Sequence, residues 1–239
     1  MRTLLVLGLL VLASTVGAKD LVVRQRSTGG FGGPGPSEET VYLAGDKIAT
    51  DSRAARTIVD LDQRTITSAD KAKKTYTVIT FDELTAQMDV LKKSLDTLPP
   101  EARKQMGALF DEGEPVAVKQ TGKTAEIAGY TANEYALSGG PYSGSVWTTD
   151  AIPTPATFQK WKGIEQSRGG AARRLGDAMA QIKGFPLRTR IETRAGGQTM
   201  VLSNEVLEVK EAGAPPEMLA PPAGFTKQAM AAPPGPGPR

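Results

Sequence analysis

The chain has 239 residues and a formal charge of +3, and its 29 Lys and Arg are mixed with its 26 Asp and Glu; this is not the concentrated basic face of a nucleic-acid binder. It has no cysteine, which excludes disulfides, thiolate zinc sites, a thiol nucleophile and a lipidated cysteine. It has no histidine, which removes the usual general base near neutral pH, the Ser-His-Asp triad and His-ligated metals, so neither a cofactor nor a metal is implied.

Residues 1–18 follow the plan of a secretory signal peptide. Arg2 supplies the positive start, Leu4 to Leu12 are apolar apart from Gly8, and Val16 and Ala18 precede a cut before Lys19. The apolar run is shorter than the ~20 residues of a membrane span. The expectation is an exported protein, periplasmic or extracellular, with no membrane span in the mature chain.

The mature chain opens on a strand at Asp20 to Thr28, followed by a glycine-rich loop over 29–36. Thr40 to Thr50 reads as a hairpin turning at Ala44-Gly45-Asp46. Strands at Arg56–Leu61, Thr65–Ser68 and Thr75–Thr80 continue an antiparallel meander. Thr80 and Glu83 have capping-box spacing. Phe81, Leu84, Met88, Leu91, Leu95 and Leu98 then recur at helical spacing, and Pro99-Pro100 ends that helix. A second helix is expected to bury Ala102, Met106, Leu109 and Phe110.

Strands resume at Pro115, with VAVKQTG and KTAEIAG expected as a hairpin, then NEYALSG and GSVWTTD. A helical section follows in two parts, marked by Phe158, Trp161 and Ile164, then by Leu175, Met179 and Ile182, with Gly184 as its cap. Leu187 to Arg194 alternates apolar and charged residues, and Thr199 to Lys210 pairs with it through Gly196-Gly197. Phe225 is expected to pin a last segment. Residues 228–239 are expected to be a disordered Pro/Gly-rich tail.

Three motifs are weighed against duller readings. AVKQTGKT (117–124) has the letters of a phosphate loop, but strand and turn follow it instead of a helix, so a Thr-Gly-Lys turn is expected and no nucleotide. Ser68-Ala69-Asp70-Lys71 matches a penicillin-enzyme nucleophile motif but falls in a polar turn. Arg188, Arg190 and Arg194 read as the wet face of a strand. Asp82 and Glu83 favour a helix start, and Asp111, Glu112 and Glu114 a helix end; none suggests a catalytic pair. Trp147, Phe158, Trp161 and Phe185 gather around the late helical section. They read first as core, and as the hypothetical lining of an apolar ligand cavity in the functional reading.

The segments 57–84, 124–137, 144–150, 184–192 and 215–227 resemble an uncharacterised family of exported bacterial proteins, the domain of unknown function numbered forty-four twelve. That family is in turn similar in fold to periplasmic lipoprotein carriers of the LolA/LolB type, which are incomplete barrels closed by helices over an acyl-chain cavity. The resemblance implies one α+β domain over 19–227, a curved antiparallel sheet with helices packed over its concave face, and no catalytic residue. The glycine-rich loop and the Pro-rich tail depart from the pattern. The function expected is non-enzymatic binding of a lipid, lipoprotein or other amphiphile. The alternative is a structural or adaptor protein of the cell envelope with a protein partner, and a carboxylate-based hydrolase ranks last.

Overall fold

A computed structural model describes residues 20–29, 35–95, 114–166, 170–195 and 198–230. The first six strands, β1 (Leu21–Thr28), β2 (Pro36–Ala44), β3 (Lys47–Ser52), β4 (Ala55–Asp60), β5 (Thr65–Asp70) and β6 (Thr75–Thr80), form an antiparallel meander. Two of its four tight turns, β4–β5 and β5–β6, reuse one device. The Asp60 carboxylate accepts the Gln63 amide at 2.8 Å, and Asp70 accepts the amides of Ala72 and Lys73 at 3.0 Å. Each turn then closes on a long side chain in the left-handed region, Arg64 at φ 52° and Lys74 at φ 53°. An aspartate that holds backbone amides stabilises a turn without glycine.

Helix α1 (Phe81–Leu95) begins on the capping box expected. The Thr80 amide donates to Glu83 Oε2 at 2.8 Å, and the Glu83 amide donates to Thr80 Oγ1 at 3.0 Å. Thr80→Ala should cost about 1 kcal/mol, read as a fall in the urea midpoint with an unchanged slope. Phe81 is buried under the Arg64 guanidinium, but Met88 and Val90 are 46% and 59% exposed. Among the described residues, therefore, the apolar stripe of α1 is covered only near its start. The second helix expected over 99–110 lies outside the described residues, as do the signal sequence, residues 30–34, Gly196-Gly197 and the end of the tail.

The second meander comprises β7 (Ala117–Ile127), β8 (Tyr130–Gly139), β9 (Tyr142–Thr149), β10 (Phe185–Ala195) and β11 (Gln198–Glu211), with α2 (Ala156–Gln166) and α3 (Gly170–Gln181) between β9 and β10. One local expectation fails here. AVKQTGKT is no hairpin; it lies within the single strand β7, and the chain turns later, at Ala128-Gly129. The Thr-Gly-Lys piece is a bulge: Gln120 pairs with Tyr135 and Thr124 with Asn133, so three residues face Glu134 alone. Glu134 organises it, accepting the Thr121 hydroxyl at 2.8 Å and pairing with Lys123 at 3.4 Å. Gly122 supplies the positive φ of 80°.

The two meanders join where β1 pairs with β11, Leu21 opposite Glu211, and with β12 (Thr226–Lys227) they give a sheet of order β12-β6-β5-β4-β3-β2-β1-β11-β10-β9-β8-β7. It is a curved sheet that does not close. Its edges are β7, roughened by the bulge and by exposed Lys119 and Lys123, and the two-residue β12. Both are devices that discourage edge-to-edge pairing. β12 was not foreseen, and it pairs parallel to β6.

β12 is reached by a strap. After β11 the chain makes a 3-10 turn at Pro216–Leu219, held by Arg56, whose guanidinium donates to the Glu217 carbonyl at 2.7 Å. The Thr226 and Gln228 amides then donate to the Lys74 and Tyr76 carbonyls. Arg56 is 8% exposed and also binds Asp51 at 2.7 Å, and Lys71 binds the same carboxylate. Burial raises the Asp51 pKa, but hydrogen bonds from Arg56 and Lys71 outweigh it and leave the carboxyl below its ordinary range.

Candidate functional site

All four aromatic residues singled out in the sequence lie on β9, α2 or β10. Proline 155 starts α2: its carbonyl accepts the Phe158 and Gln159 amides. The helix is tethered to the β2–β3 turn by the buried Thr157 hydroxyl, which donates to the Gly45 carbonyl, and by a Lys160–Asp46 ion pair. Phe158 and Trp161, three residues apart, are both half-buried. The Phe158 ring is 6.1 Å from that of Phe185 and tilted by 42°. Phe185, 3% exposed, belongs to a core cluster with Leu21, Leu43, Ile127 and Leu187, and Trp147 packs half-buried against it. The structure thus joins Phe158 to Phe185 directly and Trp147 to the same cluster, and places Trp161 on the helix above.

A second cluster lies under α3. Val146 and Ala178 are fully buried, with Leu137, Ile182 and Ile191 around them. Its rim is half-open, formed by Val118, Tyr135, Tyr142, Leu175 and Met179. Burial raises the Tyr142 pKa, and the Arg174 charge beside it acts in the opposite direction. Sequence reasoning missed Arg174. The available signal was its spacing: Arg174, Ala178 and Ile182 recur every four residues, the stripe that faces a core.

A concavity of about 330 Å³ opens where α1, β6 and β12 meet, between Val78, Ile79, Gln87 and Met230. It contains none of the four aromatic residues.

The charged groups raised in the sequence are engaged elsewhere. Asp82 pairs with Arg64, and Glu83 caps α1. Lys71, of the Ser-x-x-Lys match, is held by Asp51 and by the Ser52 carbonyl, while Ser68 is exposed on β5. Arg188 pairs with Glu205 and Arg190 with Glu192, as a solvated strand face requires. Among the described residues no group of three acidic side chains could hold a metal ion, and no helix is long and apolar enough to cross a membrane.

The family model described as "Domain of unknown function (DUF4412)" matches residues 35–225, and the chain belongs to that family. No curated protein matches. Among solved structures it is similar to PNGF-II, at 12% identity and a TM-score of 0.40 over 90% of this chain and 31% of that one. It is similar to MucB at 10% identity and a TM-score of 0.38, over 87% of this chain and 59% of that one. It is also similar to a LolA superfamily protein from Nitrosomonas europaea, at 9% identity and a TM-score of 0.29, over 85% and 90% of the two chains. The chain spans less than two thirds of the length of PNGF-II and of MucB.

Proposed function

We propose that this member of the DUF4412 family is an exported, non-enzymatic binding protein for an amphiphilic ligand, held between the α2–α3 pair and the concave face of the sheet. One observation carries the reading. Helix α2 touches β2 and β3, α3 touches β7, and the two helices pack on each other. In sheet order β2 and β7 lie six positions apart, so the helix pair touches strands of both meanders, which supports a bridge across the open sheet. Beneath the bridge lie two separate apolar clusters rimmed by half-buried aromatic and aliphatic side chains. An apolar ligand needs an apolar lining and a few placed polar groups, and the half-buried rims of the two clusters would supply that lining. Export rests on the signal-like pattern of residues 1–18.

Native mass spectrometry of the mature chain, purified gently from its compartment with lipid extraction alongside, tests this. The expected result is a bound amphiphile at near-stoichiometric occupancy. A chain that is ligand-free and also fails to take up any added amphiphile overturns the reading.

A second reading, an envelope adaptor with a protein partner, draws on a different observation. Met88 and Val90 on α1, and Met200 and Leu202 on β11, are exposed apolar side chains of the kind that mark protein contacts.

A further inference from the structure

We infer that Arg174 anchors the head group of a single-chain amphiphile with an anionic head, carboxylate or phosphate, whose tail lies beneath α3. The inference rests on the binding reading above and names the ligand class for it.

Arg174 is 9% exposed and occupies the first position of the buried stripe of α3, ahead of Ala178 at 0% and Ile182 at 3%. An apolar residue belongs there. A guanidinium stays charged at any relevant pH, and burying a charge is costly unless it is paired. The other buried arginine, Arg56, has its carboxylate in Asp51. Arg174 has none among the described residues: its neighbour Arg173 takes Asp177, and Arg174 NH1 donates only to the Glu114 carbonyl, at 3.1 Å. Its Nε–H is sealed from water and has no acceptor. An anion would complete it, as a charge-assisted hydrogen bond of the kind guanidinium makes with carboxylates and phosphates.

The surroundings suit an amphiphile. One wall of the guanidinium is the bare backbone of Gly140, where a side-chain Cβ would stand 3.0 Å from NH1. From Arg174 the half-buried side chains of Leu175, Met179, Val118 and Tyr135 continue along the rim of the apolar cluster, beside the open edge strand β7.

The test uses the full mature chain and Nile red, a neutral dye, displaced by palmitate, hexadecyl phosphate or hexadecanol. The anionic ligands should displace it at concentrations about tenfold below hexadecanol, the effect of one charge-assisted hydrogen bond. Whichever anionic ligand competes better assigns the head group. Arg174→Met should abolish the preference, read as equal displacement by the acid, the phosphate and the alcohol, with the thermal midpoint at or above the parent's. If acid, phosphate and alcohol displace the dye equally from the parent chain, binding stands and the Arg174 anchor falls. If no amphiphile binds at all, both fall. Should Arg174→Met fail to fold, Arg174→Gln decides: it keeps a polar side chain but removes the charge, and an unaltered preference overturns the proposal.

Discussion

Gly144→Ala should destabilise the protein by 3 kcal/mol or more, about the upper end for overpacking a closed site. In a chain of this size that is a fall of about 6–12 °C in the thermal midpoint. Gly144 lies in β9 opposite Leu137 of β8 and Ile191 of β10. A Cβ there would stand 2.0 Å from the Arg190 carbonyl oxygen and 3.0 Å from the Ile191 Cα. Both obstacles are backbone, so no rotamer change relieves them and β10 must move. Its movement would loosen Val146 and Ile191, at the centre of the cluster under α3. Gly213→Ala is the control, because a Cβ there meets nothing within 4 Å, and a change of no more than about 0.5 kcal/mol is expected at such a site. Equal midpoints for the two variants would mean that β9 and β10 do not approach as closely as described.

Arg56→Ala should cost about 3 kcal/mol at pH 7, the scale for breaking a buried charged pair, and should release the C-terminal strap. The substitution removes the bond to Asp51 and the bond to the Glu217 carbonyl together. Hydrogen exchange should therefore quicken at the Thr226 and Gln228 amides, which pair with β6, before it quickens in β8 or β9. The pH dependence has a definite sign. Asp51 is held below its ordinary pKa in the folded chain, so its stabilising contribution is full above the unfolded value of about 3.9 and is lost as pH falls through the folded one. The gap between parent and Arg56→Ala should narrow below about pH 4. A gap that stays constant down to pH 2 would show that the Arg56–Asp51 charge pair contributes nothing.

Legibility in the sequence followed the range of the interactions. The strands β4 to β6 and the start of α1 are set by neighbours a few residues away, the aspartate-held turns and the Thr80–Glu83 box, and they read correctly, whereas β2 begins at Pro36, four residues before the Thr40 expected. The two late helices and the alternating β10 did so too, because the buried Leu187 and Ile191 declare the period themselves. Three features depended on distant partners and stayed hidden. Thr121-Gly122-Lys123 has turn composition, but Glu134, on the neighbouring strand, makes it a bulge. β12 is two residues long and exists only because β6 offers an edge. The β1–β11 pairing cannot be inferred from either segment alone. In the site, the aromatic residues were visible by type, whereas nothing in the local pattern singled out Arg174, nor Arg56 under the strap. Arg56 shares its buried face of β4 with Ile58, and the strap reaches that face through the Arg56 bond to the Glu217 carbonyl.

The pairing of β1 with β11 also governs the order of assembly. β1 finds β2 almost as soon as both exist, but its other side must wait for β11, which comes after every other long strand. Contacts so far apart in the chain close late and slowly. Until they close, the first meander carries β1 as a raw, fully hydrogen-bonding border in the middle of the future sheet, unlike the roughened outer edges of the finished protein. Truncations that remove β11 should thus fail as aggregates rather than as smaller folded domains.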